Sequence, residues 1–298
     1  MFAALAPKGE VNRLRHRRVP AAIDAQTVIR MNRDTLYSST VVDLAGGAVL
    51  RLPDAGDRYL SAMVVNQDHY VGDVLHEPGD HELTSERCGS RYVAVAVRVL
   101  ADPGDEADLD VAHALQDQLA LEAASAEPFV SPEYDPESFT AVRKAVLELA
   151  RHWSGIGGAF GRRDEVDPIS HLLGTAAGWG GLPQREAVYI PAEPGLPSTG
   201  TYRLELGDVP VNGFWSVSVY NRDGFFEPNP RGVYSVNNLT AQREDDGRTV
   251  VVHFGNERAD LPNLIPITDG WNYMLRLYRP RPSVLDQTWR PPALEVVD

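Results

Sequence analysis

Four short stretches gather the residue types that chemistry needs. The first is Met31-Asn32-Arg33-Asp34-Thr35-Leu36-Tyr37-Ser38-Ser39. Arg33 offers a planar fork to a carboxylate, and Asp34 becomes a proton acceptor if it is partly desolvated. The same pair could equally be a turn network that ties strand ends, because such ion pairs shift pKa values without any function. The second stretch is Asn66-Gln67-Asp68-His69-Tyr70. Asp beside His suits acid/base work only if the side chains converge. Neighbours on a strand point to opposite faces, so Asp68 and His69 need a turn to meet. His76 and His81 follow closely. Three histidines could hold a metal, but no recognised ligand spacing is present and no metal site is expected.

The third stretch runs from Asn212 to Gly224, with Tyr234, Asn237 and Asn238 just beyond. Its odd positions Trp215, Val217 and Val219 read as core. Phe214, Ser216, Ser218 and Tyr220 share the opposite face, polar and aromatic together, which either lines a cleft or packs under another layer. The fourth stretch, His171 to Pro183, surrounds Trp179 with Gly174, Gly178, Gly180 and Gly181. Glycines let backbones approach closely, so Trp179 could cap a pocket, or the stretch could be a tight crossover between domains. From these stretches Arg33, Asp34, Asp68 and His69 are the candidate catalytic groups. Asn32, Tyr37, Asn66, Tyr70, Trp179, Trp215, Tyr220, Tyr234 and Asn238 are the candidate binding groups. Asn32-Arg33-Asp34 and Asp68-His69-Tyr70 are expected to meet at one cleft, since loops gather at one end of a β-unit and a buried Arg33 needs an anion.

The elements that must carry these groups follow from periodicity. Residues 20–100 alternate as half-buried strands do, most clearly from Arg91 to Val99 and from Tyr59 to Asn66. Pro78-Gly79-Asp80 reads as a turn. Asp102-Pro103-Gly104-Asp105 breaks the strands. Leu109 to Ala126 is rich in helix formers. Glu137 to Trp153 puts Phe139, Val142, Val146, Leu149 and Trp153 on one stripe, with Asp135 as N-cap, Pro136 in the first turn, and Gly155, Gly157 and Gly158 as the stop. Residues 185–298 return to strands around Tyr202, Trp215, Val250 and Trp271, and a proline-rich strap at 280–292 closes the chain. Strands, helices and strands again argue for an α+β, mainly β fold. The expected architecture is two antiparallel β-sandwich or jelly-roll-like units bridged by a helical segment, divided as 1–100, 101–178 and 179–298.

The totals exclude several classes. The 298 residues carry a net charge of -14 and a single cysteine, Cys88. Nucleic-acid binding needs clustered Lys and Arg, and the only basic cluster, Arg13, Arg15, His16, Arg17 and Arg18, stands apart from any recognition motif. No nucleic-acid partner is expected. One cysteine forms no intrachain disulfide, and no run of about 18 apolar residues exists. A cytoplasmic location and no membrane partner are the expectations, and Phe2 to Ala6 reads as the tail of a helix, so that either the start codon is misplaced or this family member is trimmed. There is no G-x-S-x-G, G-x-G-x-x-G, P-loop or H-E-x-x-H, so nucleotide cofactors and common hydrolase machinery have no support, and no cofactor is expected.

The run Val28 to Ser38 resembles the signature of the bacterial domain of unknown function numbered 1254. Asn66 to Tyr70, and Phe160-Gly161 through His171 to Gly181, look like the same kind of protein. Gly213 to Asn221, and Gly270-Trp271-Asn272-Tyr273 through Tyr278-Arg279-Pro280, resemble the companion domain numbered 1214. The resemblance spans nearly the whole chain and implies β-sandwich-like units. It implies no agreed reaction and no agreed catalytic residues. Members are sometimes labelled esterases, a label this sequence, without a serine elbow, does not support. Relatives often carry a signal peptide and a further N-terminal helix. Two functions remain open: a small-molecule enzyme using acid/base side chains in a cleft, or a non-catalytic binding or carrier protein with an aromatic cleft. Converging titratable groups separate the first from the second.

Overall fold

A computed structural model describes residues 1–26, 29–153, 157–258 and 260–297. The chain divides into two compact units. The first comprises Met1–Val19 and Thr35–Gln184, and the second comprises Pro20–Asp34 and Arg185–Asp298. No linear boundary carries this division, because the 20–34 segment leaves the first unit and is bonded within the second. The Arg30 N–H donates to Gly224 O, Gln26 brackets Phe226 on both backbone groups, and Arg276 donates to Arg30 O.

The first unit contains α1 (Phe2–Leu5), β1 (Arg15–His16), β2 (Thr35–Asp43), β3 (Ala48–Leu52), β4 (Leu60–Asn66), β5 (Val71–Leu75), β6 (Gly79–Leu83), α2 (Ser85–Cys88), β7 (Tyr92–Leu100), α3 (Glu106–Asp117), β8 (Ala120–Ala123), α4 (Pro136–Ala150) and α5 (Pro168–Ala177). Its five-stranded sheet runs β1-β2-β7-β4-β5 and its three-stranded sheet β6-β3-β8, all antiparallel. The alternation read at Arg91–Val99 is β7. Val93, Val95, Val97 and Val99 are fully buried and join Leu36, Leu50, Val64 and Leu115 in one core. Alternation of this kind leaves every second side chain of a strand on the same face.

Two readings of this unit change. The helix expected over 109–126 ends at Asp117, and Ala120–Ala123 becomes a strand paired with β3. Sheet pairing and burial of Leu119 override the helix propensity of that stretch. Gly79 and Asp80, read as a turn, open β6 opposite Leu52 and Arg51, and Arg51 grips Asp80 through two hydrogen bonds. His171–Ala177 lies in the segment expected to be helical and belongs to α5, since Asp167 accepts from Ser170 N and Pro168 stands in the first turn. Helix α4 also starts as expected, with Asp135 accepting from Glu137 N. Its apolar stripe, however, leaves Phe139, Val142 and Leu149 exposed. Gly157 and Gly158 follow in a turn, and Gly155 lies outside the described residues.

The second unit contains β9 (Ala187–Ala192), β10 (Tyr202–Leu206), β11 (Trp215–Tyr220), β12 (Ser235–Asn237), β13 (Val250–Phe254), β14 (Leu264–Ile265), β15 (Asn272–Tyr278), α6 (Pro282–Leu285) and β16 (Glu295–Val296). Two four-stranded sheets, β12-β11-β15-β9 and β14-β13-β10-β16, are antiparallel except for the short parallel β13–β14 pair. Trp215, Val217, Leu275, Leu204, Val252 and Phe254 fill the core they share. The proline-rich strap is not wholly extended, for Pro282–Leu285 winds into α6 with Pro in its first turn. The fold is thus mainly β. Among the described residues no helix is long and apolar enough to cross a membrane.

Candidate functional site

In the second unit, register builds a polar layer on one face of the sheet. Ser216 lies opposite both Asn237 and Arg276, and Ser218 lies opposite both Ser235 and Met274. Because side chains alternate, Ser216, Ser218 and Tyr220 share their face with Asn237, Ser235 and Arg276. All but Ser235 are buried. A charge with no water needs several partners. Arg276 Nη1 donates to Ser218 Oγ (2.9 Å), and Nη2 donates to Arg30 O (2.7 Å) and to the Tyr220 hydroxyl (2.6 Å). Tyr220 in turn donates to Met31 O at 2.9 Å. Burial opposes the charge on Arg276, but Tyr220, Tyr278 and Asp34 outweigh it, so the guanidinium is held above its usual value. Burial raises the Tyr220 hydroxyl, which stays protonated.

Asp34 completes the layer and is 2% exposed. Its N–H donates to Asn32 Oδ1, which fixes the turn. Oδ1 accepts from Ser235 Oγ and from Asn237 Nδ2, each at 3.1 Å. Among the described residues, the buried Oδ2 has no hydrogen-bond partner, and neither has the buried Ser216 Oγ. Arg33 does not pair with Asp34. Its guanidinium lies over the rings of Tyr234 (5.3 Å) and Phe226 (6.0 Å), and burial pulls its pKa down from the usual arginine value. Tyr220 and Tyr234 line a cleft of about 170 Å³ together with Asn221 and Glu227. Trp215 faces the apolar core, and Asn238 exchanges hydrogen bonds with the Trp215 backbone, so both build the scaffold.

The first unit holds the other candidates. Asn66 Oδ1 accepts from Asp68 N and Tyr70 N while Nδ2 donates to Cys88 O, which locks the 66–70 turn. That turn carries His69 at φ +67°, a conformation costly for a residue with a Cβ. His69 is 4% exposed. Its Nε2 accepts from Gly180 N–H at 2.8 Å, so Nδ1 bears the proton and donates to Thr175 Oγ1, also at 2.8 Å. No ring nitrogen remains free. Burial first, then His171, lowers the His69 pKa to about 4, so the ring is neutral. Trp179 stacks on it at 5.1 Å. Gly181 lies so close to Phe160 that a Cβ there would come within 2.2 Å of the ring. Tyr37 faces Arg98, whose guanidinium lies 5.4 Å from its ring and donates to Gly180 O. His76 and His81 bond separately to the carbonyls of Leu60 and Glu77. Among the described residues no three His, Cys, Asp or Glu side chains converge as metal ligands. Asn66, Asp68 and Tyr70 line an open pocket.

The two sequence stretches expected to share one β-unit thus belong to different units, Asn32-Arg33-Asp34 to the second and Asn66 to Tyr70 to the first. Of the residues in this polar layer, sequence reasoning named Asp34 and Tyr220 as candidates and did not name Arg276, Asn237 or Ser235. A usable signal existed for Arg276, a lone charge within the apolar alternation of Tyr273-Met274-Leu275-Arg276-Leu277.

Residues 11–123 match the family profile "Protein of unknown function (DUF1254)", and residues 192–282 match "Protein of unknown function (DUF1214)". Among solved structures, the VPA0106 protein from Vibrio parahaemolyticus aligns over 90% of each chain at 18% identity and a TM-score of 0.72. An uncharacterised protein from Burkholderia cenocepacia aligns over all of this chain and 83% of its own, at 16% identity and a TM-score of 0.60. These likenesses establish the fold. No curated protein matches.

Proposed function

We propose, for a chain that joins a DUF1254 region to a DUF1214 region, that the second unit carries an acid–base centre for a small polar molecule. Asp34 is the proton-accepting group and Arg276 the fixed positive charge. The observation behind this reading is the buried, unpartnered Oδ2 of Asp34. Ser235 and Asn237 orient the carboxylate through its other oxygen. A general base needs that division, one oxygen anchored and one left without a donor of its own. An unpaired buried polar atom costs about 1–3 kcal/mol, and packing alone gives no reason to retain it. Tyr220 links the layer to the cleft, since it lines the cleft and accepts from Arg276. The aromatic group Tyr220, Phe226 and Tyr234 supports a second reading, binding without turnover.

Asp34→Asn tests the proposal without a known substrate. Functional groups held in unfavourable surroundings are commonly stabilised when replaced. The variant should keep or raise the wild-type melting temperature, and should lose the stabilisation that a hit from a metabolite thermal-shift library confers on the wild type. A drop of several degrees, with hits stabilising both proteins alike, would assign Asp34 to the scaffold. If binding without turnover is correct, hits bind but are recovered unchanged after long incubation.

A further inference from the structure

The first unit holds a pocket of about 320 Å³ built from none of the residues around Asp34. Its size is that of an ordinary small-ligand site. Asp68 and Tyr70 come from the 66–70 turn, Asp73 from β5, Arg87 from α2, and Arg162 and Arg163 from the segment before α5. Three cations and two carboxylates leave one positive charge in surplus, in a chain whose net charge is -14. The distribution of those charges matters more than their count. Asp73, with its side chain 14% exposed, is shared by two arginines. Arg87 Nε lies 3.0 Å from Oδ2, and Arg162 Nη2 lies 3.3 Å from Oδ1. Arg163 has no carboxylate partner among the described residues, and its guanidinium lies 6.0 Å from the centre of the Tyr70 ring.

A guanidinium has five N–H donors. Arg87 contacts Asp73 as an ion pair, and Arg162 uses its Nε on Gly72 O and one Nη2 donor on Asp73. Donors therefore remain on all three arginines. Exposed arginine–carboxylate pairs hold their geometry weakly, so Arg87 and Arg162 are free to turn toward a ligand while Asp73 keeps them near it. The pocket lacks a nucleophile, because burial and then Asp73 raise the Cys88 thiol, which stays protonated.

We infer that this pocket binds a small oxyanion, a carboxylate or a phosphate, through the Arg163 fork with Arg87 and Arg162 beside it. Planar oxyanions match the guanidinium fork in two parallel hydrogen bonds. Tyr70, itself stacked on His171 at 4.6 Å, supplies a rigid wall beneath Arg163. Asp68 stands at the exposed rim, where salt screens its repulsion.

Isothermal titration of the full chain with inorganic phosphate and with succinate, at an ionic strength held constant with sodium chloride, tests the inference. At least one should bind at one site with a dissociation constant of roughly 1 mM or tighter. Arg163→Ala should weaken it about tenfold or more without moving the ligand-free melting temperature, because Arg163 is exposed. The tighter of the two anions then identifies the oxyanion class. Failure of both to saturate, or an Arg163→Ala protein that binds as well as the wild type, would overturn the inference.

Discussion

Asp34 and Asp43 flank a single strand: Asp34 immediately precedes β2 and Asp43 ends it. Both are buried, and their surroundings differ in one respect. Every demand of Asp43 is met. Arg91 donates to both its oxygens, Ser125 Oγ and Glu127 N donate to Oδ2, and Ala45 N donates to Oδ1. The Arg91 hydrogen bond, leading these contacts, holds the carboxyl well below the usual carboxylate range. Among the described residues, Asp34 has two donors on one oxygen and none on the other. His69 belongs with Asp43, since both of its nitrogens are engaged. Burial alone therefore does not mark a functional group. A satisfied buried group secures the fold, and a half-satisfied one is a cost that function explains better than stability does.

This contrast is open to measurement. The largest effect should come from Asp43→Ala, which removes the acceptor shared by Arg91, Ser125 and two backbone amides at once. Arg91 is half exposed and turns to water, so the loss is carried by the buried donors left without an acceptor, about 1–3 kcal/mol each. Urea unfolding should show a loss of that order, against none for Asp34→Asn, and equal losses would erase the distinction. The Asp43 contribution is complete above the ordinary carboxylate range and disappears as pH falls through its depressed folded value.

Next comes His69, whose pKa in the folded protein, about 4, lies below the usual histidine value of about 6.5. The unfolded chain binds the proton first, so stability is full above about pH 6.5 and falls as pH drops toward 4, by about 3 kcal/mol at most. Unfolding free energies of wild type and His69→Gln across that window should converge at low pH. Parallel curves would mean the ring is not held neutral by its site. The smallest effect belongs to Gly181→Ala. The Phe160 ring must move to admit the methyl, at about 1–3 kcal/mol, and the stacking of Trp179 on His69 nearby should register it as a change in fluorescence. An unchanged melting temperature would show that the Gly178–Gly181 segment yields freely.

Much of this was legible beforehand. The valines of β7, the alternation of β10, β11, β13 and β15, the Asp135 cap and the even face of β11 are local patterns, and local patterns survive folding when one face is buried. Less visible were the end of α3, where pairing of Ala120–Ala123 with β3 overrides propensity, and the wandering of residues 20–34 into the second unit. The candidate site divides along the same line. Asp34 and Tyr220 stood out by residue type, but their partners did not. Asn237 was passed over for Asn238, because only register decides which of two adjacent asparagines faces Ser216.

By itself, then, the sequence determined the mainly β character, the faces of the long strands, the helix caps and the pair of family regions, because each depends on periods of a few residues. Only the tertiary structure decided which polar groups are paid off by partners and which are left open. Ser235 and Asn237 reach Asp34 from some two hundred positions away, and Arg276 finds Arg30 O across 246. Hydrogen-bond satisfaction depends on distance in space, and no spacing along the chain encodes it.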